Sequence, residues 1–484
     1  MEVTGTSTPS FGQQHFGTVD LGHKKRNECL IRLADRLERH PGGTLPEKLS
    51  APKDYKAMCR LVNRPETTHA RVLQPHFEQT RRRMAAVANT VLVIHDTTDL
   101  DFSGLHSVAD LGPIGNGHGR GYLCHNSLAI DPRRREVLGL AHQIVHTRVG
   151  TPAHEGVKAK RERASRESRL WSNAVEALGP PAAGPLVVDV ADRGADLFEF
   201  LATEDALGRS YLVRAKSDRK VGLGHDATFE TAALFAYARG LPEGGKRTLQ
   251  VPGRDGAAER KATVIVAAAP IQVLPPHVRR GLYEKRPLRA WVVVVREVNP
   301  PPGVARLEWV LVTRAPVTTL ADVWERVQWY ECRWMVEEFH KAQKTGCGIE
   351  DSQFRTGKSL QAMIALLSVV AVTLLNLRAA SRQPEAKTRL ATEVVAAAYV
   401  DVLSGWRYKS VRRDLTIHEF YYALARLGGH QNRKCDKNPG WLVLWRGWMK
   451  LQSMLDGAEA IGYTYTQKQA THQRHTRENI RGQT

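Results

Sequence analysis

The stretch Thr90-Val91-Leu92-Val93-Ile94-His95-Asp96-Thr97-Thr98 decides the fold. Four apolar residues follow one another without alternation, and polar residues close the run on both sides. A continuous apolar run this short is the pattern of a strand buried on both faces. The run is expected to stop at His95, leaving Asp96 at its carboxyl end. A second run, Leu186 to Val190 in PLVVDVADRGAD, repeats the design: it ends at an acid, Asp192, and a helical pattern follows. Open α/β sheets place their reactive groups at the carboxyl ends of such strands.

Outward from these runs the signals are those of a mixed sheet. A Gly-rich loop (Gly112 to Gly121) leads to two further strands, Tyr122 to Ile130 and Val137 to Val145, joined by an Asp-Pro-Arg-Arg-Arg turn. A charged helix is expected from Lys160 to Leu178 with an exposed start, and Tyr211 to Ala215 reads as the next strand. Alternating runs punctuated by Gly and Pro mark 216–307 as a β-rich insertion, closed by LEWVLVTRAP, and Thr318 to Lys344 carries a long helical pattern. The first 80 residues alternate amphipathic stretches with polar breaks. Leu30, Leu33 and Leu37 stand at helical spacing behind Lys24-Lys25-Arg26, and a third helix runs from Thr68 to Met84. The predicted organisation is a helical unit over 1–80, an α/β unit over 81–378 and a helical unit over 379–484. In the last, Trp441, Trp445 and Trp448 form one helical stripe, readable as core or as a dimer face, and the polar tail from Gln467 is expected to be disordered.

Composition narrows the partners. The chain has 484 residues, 70 Lys and Arg against 50 Asp and Glu, and a formal net charge of +20. Such an excess favours a polyanion, because each neutralised phosphate releases counterions. Nucleic acid comes first and an anionic membrane surface second. The apolar run Ala362 to Leu375 is shorter than the ~20 residues a bilayer demands and reads as a buried helix, so no membrane span is expected. Six scattered cysteines without a CxxC pair read as reduced thiols, and the polar N-terminus lacks a signal design; both fit a cytoplasmic protein.

Asp96 and Asp192, if their strands are neighbours, would repel each other unless a cation intervened. Magnesium takes hard oxygen ligands and is commonly held by one or two carboxylates plus a substrate phosphate. Either acid alone is more readily read as a turn or cap residue. The helix YECRWMVEEFHKAQK adds a second signal. Tyr330, Arg333, Glu337, Lys341 and Lys344 step by 3, 4, 4 and 3, which puts a tyrosine, three cations and a carboxylate on one face. That face suits a DNA phosphate with its metal, Arg gripping in two places and Lys acting as a point charge. A solvated face laced with Glu–Lys pairs would read the same way.

These strings, HDTTDL at Asp96, RGYLCHNSL, VADRGAD at Asp192 and YECRWMVEEFHKAQKTG, together resemble the IS-four family of bacterial DDE cut-and-paste transposases. The family signature Y–(2)–R–(3)–E–(6)–K is met by Tyr330, Arg333, Glu337 and Lys344, with Lys341 at an intermediate position, and the resemblance runs from about Leu21 to about Ala460. It implies a ribonuclease-H-like core, with the first acid on the first strand, the second on the fourth, and the glutamate on a helix after a β-rich insertion. It also implies that Asp96, Asp192 and Glu337 hold two Mg2+ ions, with Mn2+ able to substitute, and that no nucleotide cofactor is needed. Nicking at the element's end would be followed by hairpin formation, hairpin opening and strand transfer. Tyr330, Arg333, Lys341 and Lys344 would clamp the phosphate, and Trp309 in LEWVLVTR would stack a displaced base, although by periodicity Trp309 reads as sheet core.

The same resemblance makes double-stranded DNA the partner, as inverted-repeat ends and as target. It implies a homodimer on paired ends, formed through the C-terminal region, in a cytoplasmic, nucleoid-associated setting. Lys25, Arg26 and Arg60 fall where the family places basic residues on DNA, and the Arg120 and His125 region is a further candidate contact. Two departures stand out: Cys29 replaces an arginine, and Gly194 replaces a glutamate that is not a metal ligand. The rival readings are a ribonuclease-H-like nuclease without strand transfer and a non-catalytic DNA-binding relative.

Overall fold

Strand β1 (Thr90–Asp101) lies inside a twelve-stranded mixed sheet. A computed structural model describes residues 9–150, 154–156, 159, 162–251, 260–276, 286–433, 436 and 438–481, with side chains as far as 462. On one side β1 pairs antiparallel with β3 (Gly119–Asp131), which in turn pairs with β4 (Glu136–His146) and the short β2 (Gly112–Ile114). On the other side β1 runs parallel to β5 (Leu186–Ala191), and β5 parallel to β6 (Ser210–Arg214). The sheet then continues antiparallel through β12 (Glu308–Thr313), β11 (Leu288–Glu297), β10 (Arg260–Val273), β7 (Lys220–Leu223) and β8 (Thr231–Ala233). β9 (Gly245–Val251) pairs with β10.

The unbroken apolar run of β1 is explained by cover on both faces. Leu92 and Ile94 join a core shared with the helix Gly357–Ser381, whereas Val91 and Val93 join a cluster on the other face with Ala129, Ala141 and Val187. Successive side chains of a strand point to opposite faces, so only a two-sided core accepts four apolar residues in a row. Helices Leu170–Leu178 and Phe198–Ala206 supply further cover, packing Val175, Phe200 and Leu201 with Ala191, Tyr211 and Val213.

Several expectations need correction. β1 does not stop at His95 but continues to Asp101, because Asp96 to Asp101 keep pairing with β3. The Gly-rich stretch 112–121 is mostly ladder rather than loop, with Gly112 paired to Gly121. The helix expected from Lys160 is regular only from Leu170; residues 160 and 161 lie outside the described ones. Its start is not exposed throughout, since Arg166 is drawn into an ion pair with buried Glu199. The β-rich segment 216–307 supplies β7 to β11 of the central sheet, and it includes a short helix, Leu234–Gly240.

The unit boundaries at 80/81 and 378/379 fall inside the helices His69–Ala85 and Gly357–Ser381, and one core cluster joins N-terminal, sheet and C-terminal residues. The apolar run belongs to a helix of 25 residues, long and apolar enough to cross a membrane, but 78% of its most apolar window is buried in the protein. Burial, not shortness, therefore accounts for it. The C-terminal helix runs from Trp441 to Arg481, through the tail expected to be disordered. Its Trp stripe is turned inward: Trp441, Trp445 and Trp448 pack with Leu374, Leu377, Tyr421 and Leu424 of the same chain. Five cysteines are free thiols, and Cys435 lies outside the described residues.

Candidate active site

Strand alternation sorts the site onto one face of the sheet. Leu92 and Ile94, Val188 and Val190, Leu212, and Leu311 share a core cluster with Val336 and Phe339 of the helix Trp334–Lys341. Asp96, Asp192, Arg214 and Trp309 have the same parity on β1, β5, β6 and β12, and so face the same way. The last parallel pairs are His95 with Ala191 and Ala191 with Val213. Asp96, Asp192 and Arg214 are the next residues in line on three neighbouring strands.

Above this face lie two helices in tandem, Leu320–Cys332 and Trp334–Lys341. The first is started by a capping box between Thr319 and Asp322. Arg333 is the joint between them, and a π turn, Ala342–Gly346, follows the second. The spacing 330, 333, 337 survives the joint because Arg333 keeps helical angles, φ −52° and ψ −32°. Tyr330 and Glu337 therefore flank Arg333 on one side of the helix pair.

Arg333 binds both nearby acids. Its Nη2 donates to Glu337 Oε1 at 2.5 Å, and its Nη1 lies 3.6 Å from Asp96 Oδ2. Asp96 also accepts from the Thr97 amide at 2.8 Å, and Asp192 Oδ1 accepts from the Gly194 amide at 2.7 Å. Burial, followed by the charge of Asp192, pushes the Asp96 carboxyl up to about 7, Glu337 adding to the rise while Arg333 and the Thr97 amide oppose it. The Tyr330 ring meets Trp309 edge-on, centroids 5.1 Å apart at 64°. Burial raises the Tyr330 hydroxyl, against the pull of Arg333 and Arg214.

The other residues singled out in the sequence divide. Lys344 pairs with Glu350 at 3.2 Å, and Lys341 is exposed with its ammonium 5.7 Å from the Trp334 ring centre. Neither contacts the acids. Lys25 and Arg60 are exposed on the N-terminal helices, while Arg26 is held by Glu66 at 3.0 Å. Arg120 spends a donor on the Val108 carbonyl at 3.2 Å. His125 is completely buried and bonded to Thr97 Oγ1 at 2.8 Å, so it offers no direct surface to DNA.

Two features escaped the sequence reading. Arg214 stands beside Tyr330 on the site face; its one signal was a cation closing the apolar strand SYLVR. The second lies behind the site. His95 takes Ser127 Oγ at 3.0 Å on one ring nitrogen and Asp189 Oδ1 at 2.8 Å on the other, and Arg209 donates to both oxygens of Asp189. The line-up has the connectivity of a hydrolytic triad. All three members are 0% exposed, so no substrate reaches them, and the network ties β3, β1 and β5 together on the face opposite Asp96.

The donor set suits a hard divalent cation: three carboxylates from separate elements, with one acid pushed towards neutrality by burial and by its like-charged neighbours. With Arg333 between Asp96 and Glu337, no three acidic, His or Cys side chains among the described residues are gathered closely enough to hold an ion. No model of a known protein family matches the chain.

Proposed function

We propose that this chain is a DDE transposase of the IS-four kind, a cut-and-paste recombinase with a ribonuclease-H-like core that acts on double-stranded DNA as a homodimer. One observation carries the reading: Asp96 on β1, Asp192 just past β5 and Glu337 on a helix after the β-rich segment converge on one face, Asp192 beside Asp96 and Arg333 between Asp96 and Glu337. This chain order is the one the resemblance requires. The Tyr330–Trp309 pair beside them favours hairpin chemistry over simple cleavage, which needs no seat for a displaced base.

Asp96, Asp192 and Glu337 are the residues that would hold Mg2+, which supplies activation of the attacking oxygen and stabilisation of the leaving one. The chain's own groups do the remainder. Arg333 offers a two-pronged grip on a phosphate, with Arg214 adding charge and Tyr330 a hydroxyl. Trp309 offers a face on which a displaced base can stack, and Tyr330 holds that ring at its edge. Water attacks the phosphodiester at the element's end, a P–O bond forms and another breaks, and the water proton ends on the departing 3′ oxygen. That 3′-hydroxyl attacks the opposite strand, giving a hairpin and freeing the flanking DNA. Water opens the hairpin, and the same hydroxyl then attacks target DNA. The positive surplus of the chain draws the duplex in.

The test is excision from a donor plasmid carrying the DNA that flanks the gene, in magnesium, with wild type and Glu337→Ala. The expected result is hairpin-ended fragments from wild type and none from the variant, with DNA binding retained by both. Nicked or open ends without hairpins would make the protein a nuclease. Binding without cleavage by wild type would make it a DNA-binding relative.

A further inference from the structure

We propose that Arg333 is an internal stand-in for the metal: its guanidinium holds Asp96 and Glu337 apart from a divalent ion until a DNA phosphate draws it away, so that cation loading and DNA binding are coupled. The inference rests on the reading of Asp96, Asp192 and Glu337 as cation ligands. The geometry is that of a counter-ion in place. One amino group of Arg333 reaches Asp96 at 3.6 Å and another reaches Glu337 at 2.5 Å, from a side chain only 12% exposed. A guanidinium does not lose its proton in a protein, so its charge cannot be switched off; it can only move. Mg2+ requires oxygens at about 2.0–2.1 Å, which Asp96 and Glu337 cannot supply together while the guanidinium lies between them.

A phosphodiester offers Arg333 an equivalent partner, since the same fork that grips a carboxylate grips a phosphate. The position of Arg333 suits such a move. It is the joint of two helices, beside the Tyr330 ring at 5.9 Å, and its long side chain can turn without unwinding either helix. Arg214, beside Tyr330 on this face, offers the same phosphate a second cation. Coupling of this kind is reciprocal: whatever DNA does for the cation, the cation does for DNA.

The experiment measures Mn2+ binding to the full chain by electron paramagnetic resonance of free Mn2+, at pH 8 and low salt, with and without a 20-base-pair duplex of arbitrary sequence. Wild type, Arg333→Met, Arg333→Gln and Asp192→Asn are compared, with thermal melting to establish that each is folded. Without DNA, both Arg333 variants are expected to bind Mn2+ about tenfold or more tightly than wild type, within the usual range of coupling factors. The duplex should tighten Mn2+ binding to wild type and have little effect on either variant. Equal or weaker binding by both Arg333 variants, with wild-type binding still sensitive to Asp192→Asn, would overturn the role of Arg333 and leave the proposed function standing. Mn2+ binding indifferent to Asp192→Asn, with and without duplex, would overturn both.

Discussion

A Cβ atom placed on Gly194 would lie 2.7 Å from Cζ2 of Trp171 and 3.0 Å from Oδ1 of Asp192. The indole occupies the space that a side chain at 194 would claim, and it also meets His125 edge-on at 5.2 Å. Gly194 is where the resembling family carries a glutamate. In this chain the turn after Asp192 is instead covered by an aromatic ring from a neighbouring helix.

Restoring a side chain at 194 should therefore harm the protein. Gly194→Ala is expected to cost about 1–3 kcal/mol by overpacking, and Gly194→Glu should displace the Asp192 turn and abolish cleavage. Adding Trp171→Ala should recover part of the Gly194→Ala loss. A double-mutant cycle of melting temperatures checks this, and strictly additive effects would mean that the ring and the turn are independent.

Trp309→Ala should separate the steps of excision. Base stacking on an aromatic is worth about 1–3 kcal/mol, so hairpin yield should fall roughly 5- to 150-fold. First-strand nicking, which needs no displaced base, should stay near wild type. Denaturing gels of end-labelled DNA distinguish nick from hairpin. A parallel loss of both products would assign Trp309 to the sheet core.

Glu338 and Arg378 bind the site helix to the long apolar helix, with Arg382 3.5 Å from the same carboxylate and Trp441 against Arg378 at 4.9 Å. Both partners are about nine-tenths buried. Arg378→Ala leaves a buried carboxylate with only a half-exposed partner and should destabilise by about 3–5 kcal/mol, whereas Glu338→Gln should cost less. Denaturant unfolding of the two variants decides it; equal losses would mean that packing rather than charge is at stake.

Acid should weaken the fold through its buried histidines. Burial holds His15 at about 3, His142 at about 4 and His340 at about 3, against an ordinary 6.5. A histidine lowered in the folded state contributes fully above about pH 6.5; that contribution shrinks as the pH falls and the unfolded chain takes up the proton first. Asp96 and Glu38, both pushed up to about 7, work in the opposite sense over the same range. A single-site comparison therefore isolates the effect. The advantage of wild type over His142→Gln should be greatest at pH 8 and narrow between pH 6.5 and 4. A constant difference in melting temperature would exclude titration of His142.

Much of the architecture was legible because it follows from short-range rules. The apolar runs of β1 and β5, the Leu30, Leu33 and Leu37 stripe and the 3-4-4-3 spacing in the site helix are each set by the period of a strand or helix. What the sequence left unsettled was the end of β1, the place where the β-rich segment joins the sheet, and the choice between core and dimer face for the tryptophan stripe. Each depends on what a neighbouring element offers. β3 keeps pairing polar residues past His95, β6 accepts β12, and the helix Ile417–Leu427 receives Trp448.

The same division runs through the site. The sequence by itself determined which residue types stand at 96, 192, 330, 333 and 337, because spacing and side-chain chemistry are written along one chain. Only the tertiary structure decided that Asp96 and Asp192 are neighbours, that Arg214 and Trp309 share their face, and that Arg333 lies between two carboxylates. Adjacency across a sheet comes from strand order, and strand order is settled by burial and pairing among segments far apart in the chain, as β1 and β5 are.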